Sequence, residues 1–311
     1  MNTATVMRSS AVMAAGTAVS RVLGFVRAAV LVAAVAPGWN AEHTVNGTPS
    51  ADAFSIANTI PNALYILLAG GVLNAVLVPQ ITRAARMPDG GKEYIDRLLT
   101  TAIVVLFVVT VVFTAGAPFL IQLYSNVRPE TAELATAFAL WCLPQVFWYG
   151  LYTLLGQVLN ARGSFGPFMW APVVNNVIGI AGMLVFIAVN GAGQQPLSSW
   201  SAGTVALFAG TATLGVVAQA LILIPSLRKS GIHFRVRWGL RGFGLRTAGR
   251  VAGWTFAAVV AQQIGFLVIS NVTSAAGDRL ASSSGDDGAG KAVYDIALLL
   301  FMLPHSLVAV W

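Results

Sequence analysis

Ser20-Arg21-Val22-Leu23-Gly24-Phe25-Val26-Arg27 lies inside an apolar run covering residues 10–36. The run exceeds the roughly 20 helical residues that cross about 30 Å of hydrocarbon, so it reads as a membrane helix. It is not a secretory signal peptide, because the apolar stretch outruns a signal core and carries two arginines near its middle. An arginine at bilayer depth costs about 2.5 kcal/mol or more on insertion scales, and it normally faces a bundle interior or a watery cavity where it serves a substrate, ion or partner. Here there are two.

The rest of the chain has the same character. Hydrophobic residues make up 57% and charged residues 9%, against about 25% charged in soluble domains. Eight runs are long enough to span: 10–36, 52–79, 96–123, 132–158, 168–190, 203–226, 251–274 and 291–311. Breakers and charges separate them, among them Pro88-Asp89-Gly90-Gly91, Arg128-Pro129-Glu130 and Arg162-Gly163. The alternating ten-residue strands of a membrane barrel are absent. The expectation is an all-α polytopic membrane bundle of about eight transmembrane helices. Lone Cys142 excludes an intrachain disulfide and a cysteine metal cluster.

Charge placement sets the expected orientation. With the N-terminus inside, the cytoplasmic segments hold Arg8, Arg83, Arg86, Lys92, Arg97, Arg162, Arg228, Lys229, Arg235, Arg237, Arg241, Arg246 and Arg250, and the outside holds only Arg128, Arg279 and Lys291. The positive-inside rule then gives a cytoplasmic N-terminus, and the net charge of +7 is mostly topology. The segment 228–250 interleaves cations with Phe234, Trp238 and Phe243. Beside a membrane that pattern suggests an interfacial segment in contact with anionic lipid; no nucleic-acid module accompanies it.

Helical geometry makes the arginine pair more specific. At about 100° per residue, Arg21 and Arg27 are separated by an arc of about 120° and by about 9 Å along the axis. The arc between them carries Thr17, Ser20, Gly24 and Ala28, all small or hydroxylated, while Val12, Val19, Val22, Val26 and Val30 lie opposite. A bulky anion has room to approach the backbone at Gly24 and be gripped from both sides, since guanidinium matches phosphate with paired hydrogen bonds. The competing reading is a structural arginine bonded to a carboxylate or carbonyl of a neighbouring helix, or one snorkelling outward. Snorkelling is harder for Arg21, deep in the span, than for Arg27.

The second span holds Asp52, Asn58, Pro61-Asn62, Gly70-Gly71, Asn74 and Pro79, polar and helix-weakening positions tolerated where they line a cavity or pack on protein. Asp52 reads equally as a first-turn cap and as a functional carboxylate. An enzyme acting on a prenyl diphosphate would need acidic clusters for a metal, and the sole adjacent pair, Asp286-Asp287, falls in a Ser/Gly-rich loop. His43, His233 and His305 lack metal-ligand spacing. Gln262-Gln263 and Asn271, like Trp141, Trp148 and Tyr149, read as pathway lining or as interhelical contacts and interfacial anchors.

Ser20 to Arg27, Ala51-Asp52-Ala53-Phe54, Ile60-Pro61-Asn62, Val78-Pro79, Leu159-Asn160-Ala161-Arg162-Gly163-Ser164-Phe165-Gly166-Pro167 and Ala171-Pro172-Val173-Val174-Asn175-Asn176 resemble, in order and spacing, the MurJ/MviN-type lipid II flippases of the multidrug/oligosaccharidyl-lipid/polysaccharide exporter superfamily. The resemblance implies a fourteen-span fold in two six-helix lobes plus two helices. This chain would be an N-terminal piece: a lobe over 1–227, a basic interlobe segment over 228–250, and the first two helices of the second lobe over 251–311.

It also implies a non-enzymatic, secondary-active transporter in the bacterial cytoplasmic membrane. Lipid II would be its substrate, membrane lipids its surroundings and cell-wall synthesis or division proteins its further partners, with no nucleic acid and no cofactor. Arg21 and Arg27 occupy the family's functional first-helix positions, and with Ser20, Gly24, Asp52 and Asn62 they form the expected substrate-binding set. Family arginines after the Pro-Asn and in the eighth helix are missing here, where the chain reads Ala63-Leu64-Tyr65-Ile66 and Leu298-Leu299-Leu300-Phe301. An exporter of another lipid-linked glycan or a drug, and a non-transporting scaffold for cell-wall synthesis, stand as the alternatives.

Overall fold

The computed structural model describes residues 3–35, 49–68, 80–81, 84, 91–193, 195–231, 234–239, 245–284 and 290–308. Gly70-Gly71, Asn74, Pro79, His43, His233 and Asp286-Asp287 lie outside the described residues, as does the His305 side chain. The described chain is helical and contains no strand. Its helices are α1 (Thr3–Val35), α2 (Pro49–Leu68), α3 (Lys92–Ala115), α4 (Ala117–Tyr124), α5 (Pro129–Cys142), α6 (Gln145–Ala161), α7 (Gly166–Asn190), α8 (Ala202–Leu221), α9 (Leu223–Lys229), α10 (Leu245–Ser284) and α11 (Lys291–Val308).

Six helical stretches are long and apolar enough to cross a membrane: Ala11–Val35, Lys92–Ala115, Pro129–Ala161, Gly166–Asn190, Ala202–Lys229 and Ala257–Gly277. The chain is therefore a multi-pass membrane protein. The second and eighth expected runs contain α2 and α11, and the continuation of the second over 69–79 lies outside the described residues.

Local chemistry explains the helix boundaries. Pro118, with no N–H to donate, follows the interruption at Gly116, and Pro144 separates α5 from α6 inside one expected run. Pro129 opens α5, where its missing N–H costs nothing, with Glu130 in the first turn at the positive end of the dipole. Ser201 caps α8 by accepting from the Thr204 amide at 3.2 Å.

Large apolar side chains on the outer surface, such as Phe107, Val112, Phe119 and Val189, are well exposed, as lipid-facing residues are. Inside, two apolar cores sit one above the other. One centres on Phe54, Phe138, Phe186, Trp200 and Phe208, with Phe54 and Phe208 edge-to-face at 4.7 Å between ring centroids. The other gathers Ile95, Leu98, Leu99, Leu154, Leu159 and Leu223.

Some buried polar residues fall between these cores, Asn175 along α7 and Gln219 along α8, and others join helices within them. Gln145 Nε2 donates to Thr213 at 3.0 Å, Tyr65 and Thr153 share a hydrogen bond of 2.6 Å, and Asn175 donates to Gln219 at 2.8 Å. Helix α1 packs on α7, α7 on α8, and α2 on α5; α10 and α11 pack against α2.

The basic segment is also fastened to protein. Residues 234–239 run extended along α3, where the Arg235 amide donates to Asp96 at 3.3 Å and the Arg237 amide to Thr100 at 3.1 Å. The Arg237 side chain adds an ion pair with Glu93 at 3.1 Å. Arg246 and Arg250, expected in a loop, lie on the 40-residue α10. A reading of 228–250 as topology and lipid contact alone therefore misses two acids on α3.

Candidate functional site

The small face of α1 is largely a packing surface. The Trp170 indole of α7 donates to the Val12 carbonyl at 3.2 Å, and Asn176 Nδ2 donates to the Ser20 carbonyl at 2.8 Å. Thr17 donates back to the Met13 carbonyl and touches Met169. Thr17 and Ser20 thus let α7 approach, the usual use of small residues between membrane helices. Gly24, one turn on, stands at the edge of this contact and lines a cavity on the other side.

The two arginines diverge. Arg27 enters the polar layer: its Nη1 donates to Asn175 Oδ1 at 3.4 Å, and Asn175 in turn donates to Gln219. Gly179 on α7 makes the space, since a Cβ there would stand 2.8 Å from Arg27 Nε. Arg27 lines neither of the two cavities described below.

Arg21 lines a cavity of about 450 Å³ with Gly24, Phe25, Asp295, Leu298, Leu299 and Met302, between α1 and α11. Among the described residues, no carboxylate lies within 4.0 Å of either guanidinium, and the ion pairs there involve other groups. A second cavity of about 300 Å³ lies between α1, α2 and α11; Ala28, Leu31, Phe54, Ser55 and Ile296 contribute to its wall. Asp295 and Leu299 belong to both cavities.

Asp52 is buried, and it caps a helix other than its own. Its Oδ1 accepts from the Ala292 amide at 2.7 Å, at the start of α11. That geometry satisfies one of the unpaired amides of a helix N-terminus and places a negative charge at its positive end. Asn62 is exposed on α2 and lines neither cavity. The structure therefore gathers Arg21 and Gly24 at one cavity, sets Asp52 at the head of α11, gives Ser20 and Arg27 to the α7 contact, and leaves Asn62 apart.

Four residues around these arginines were not in the expected binding set. Asn175 and Gln219 form the layer that receives Arg27. Lys291, assigned by charge counting to an outside loop, is fully buried in an ion pair with Asp295, with its ammonium 5.6 Å from the Phe266 ring centroid. Asp295 also accepts a hydrogen bond from Ser55. The available signal was an acid four residues after a lysine, inside an apolar run. Gln262 and Gln263 are not on these cavities, and Asn271 bonds the Leu123 carbonyl at 2.8 Å, joining α10 to α4.

Comparisons with known proteins agree with this architecture. The family model described as lipid II flippase MurJ matches residues 43–311. A probable lipid II flippase MurJ of Haemophilus influenzae is 28% identical over 241 residues, covering 74% of this chain and 43% of that protein. The lipid II flippase MurJ of Burkholderia cenocepacia is 28% identical, covering 74% and 44%. The chain thus spans less than half the length of these curated relatives.

Among solved structures, a lipid II flippase MurJ in an inward closed conformation superposes with a TM-score of 0.64 at 17% identity, covering 96% of this chain and 56% of that one. A MATE transporter in complex with MaL6 superposes with a TM-score of 0.65 at 17% identity, covering 96% and 61%.

Proposed function

This chain belongs to the MurJ family of lipid II flippases, and on that premise we propose that its protein carries lipid II across the bacterial cytoplasmic membrane by alternating access. The carrying observation is Arg21, a guanidinium at membrane depth in the wall of a cavity between α1 and α11, with no carboxylate in salt-bridge range among the described residues. A group so placed is a ready ligand for a diphosphate. The rest of the Arg21 cavity is mostly apolar and suits an amphiphile, whose charged end rests at Arg21 while apolar parts lie on Leu298, Leu299 and Met302.

In this reading α1 to α9 move as one lobe with a cytoplasmic N-terminus, α10 and α11 begin a second, and the segment 228–250 joins them. The work is translocation rather than bond chemistry, with membrane lipids as the solvent and cell-wall synthesis proteins as further partners. Arg27 is a positioning residue that fixes α7 and α8 through Asn175. A second reading is export of another lipid-linked glycan or a drug, favoured by the apolar wall of the Arg21 cavity and by an equal likeness to a MATE transporter.

Complementation tests the proposal. The gene is expected to rescue cells depleted of their lipid II flippase, and Arg21→Ala to abolish rescue at unchanged membrane levels. Rescue that survives Arg21→Ala would overturn the anion grip, and failure of the unmodified gene to rescue, with a transport defect for another glycan, would favour the second reading.

A further inference from the structure

Asp295 occupies a position that the transport reading leaves unused. Its carboxylate accepts from Ser55 of α2 and pairs with Lys291 of its own helix. It also lines the cavity that Arg21 enters from α1. A second bond runs the other way between the same two helices, from the Ala292 amide of α11 to Asp52 of α2. Both contacts join residues 240 positions apart, so α2 and α11 run side by side in parallel, clasped by one carboxylate from each. The Asp52 contact lies at the head of α11, and Asp295 is one turn deeper.

We propose that Asp295 is a specificity-determining residue that links anion occupancy at Arg21 to the α2–α11 clasp. An anion on Arg21 enters a cavity whose opposite wall already carries a carboxylate, in surroundings where charges are poorly screened. The repulsion disfavours the placement of Asp295 that makes the Ser55 bond, so binding loosens the clasp. Coupling is reciprocal: an intact clasp weakens anion binding by the same factor. Lys291 makes a buried carboxylate tolerable there through its ion pair, but it lines neither cavity, so on the cavity side the carboxylate is the nearer of the two charges.

The inference rests on the anion-binding role of Arg21, and the experiment separates the two. Farnesyl diphosphate binding is measured by calorimetry on the protein in lipid nanodiscs, for the unmodified protein, Arg21→Ala, Asp295→Asn, and the double variant Lys291→Met with Asp295→Asn. The double variant leaves no unpaired buried ammonium, so it covers the case in which Asp295→Asn fails to fold. Spin labels on α2 and α11 report the distance between them with and without the probe.

Removing the Asp295 charge is expected to tighten binding about tenfold and to slow transport, a gain that structural damage does not produce. The label distance is expected to widen on probe addition in the unmodified protein and not in the Asp295 variants. Unchanged or weaker binding in both Asp295 variants, with Arg21→Ala still lowering affinity, would overturn the link and leave the Arg21 reading intact. Binding indifferent to Arg21→Ala would overturn both.

Discussion

Gly179 holds open the space that the Arg27 side chain fills, and the effect is steric. Because an added Cβ would stand 2.8 Å from Nε, Gly179→Val is expected to expel the guanidinium and break the bond to Asn175. The cost should be about 1–3 kcal/mol in a thermal melt of the detergent-solubilised protein, and rescue should fall with it. Asn175→Leu should reproduce the loss without the clash.

At this scale the sequence was partly legible. The two arginines announced themselves because charge is rare in an apolar run, and the small arc between them was visible from helical geometry. What that arc faces was not legible, because Thr17 and Ser20 suit a close helix contact as well as a ligand. The divergence of the two side chains depends on where α7 lies, and a single helix carries no record of its neighbour.

Asp52 caps α11 across the α2–α11 contact, so Asp52→Ala is expected to destabilise by about 0.5–2 kcal/mol, with faster hydrogen exchange at the 292–294 amides; Asp52→Asn, which can still accept, should retain most of the cap. Capping and function had equal claim on Asp52 from sequence, and capping of a helix 240 residues away satisfies neither as first framed. The residue sits at the start of its own helix, which hid its partner.

The segment 234–239 gives a parallel case. Its arginines read as membrane-surface charges, yet backbone amides and one guanidinium engage Asp96, Thr100 and Glu93. Asp96→Asn combined with Glu93→Gln is expected to free the segment to limited trypsin cleavage at Arg235 and Arg237, at rates several-fold above the unmodified protein. Glu93 lies in the first turn of α3, where the dipole alone explains an acid, and Asp96 follows one turn later at the margin of an apolar run, so nothing in the sequence pointed to a second use.

For the whole molecule, fold class followed from run length and composition, since only internally bonded helices satisfy the backbone in lipid. The bundle, two stacked cores with a polar layer between them, needed tertiary information. Gln145, Asn175 and Gln219 are scattered over three helices and meet only once these pack. Family membership accounts for the order of motifs, and within the bundle Leu298 and Leu299 line the cavity that Arg21 shares with Asp295.

In the proposed function, Arg21 supplies the grip on a lipid-linked diphosphate. Lipid II binding to the protein in nanodiscs, measured for the unmodified protein and for Arg21→Ala at matched folding, tests this grip. Loss of a charge-assisted contact predicts a fall in affinity of about 10- to 100-fold, with Asn62→Ala unchanged. Equal lipid II affinity in the unmodified protein and Arg21→Ala would rule that grip out.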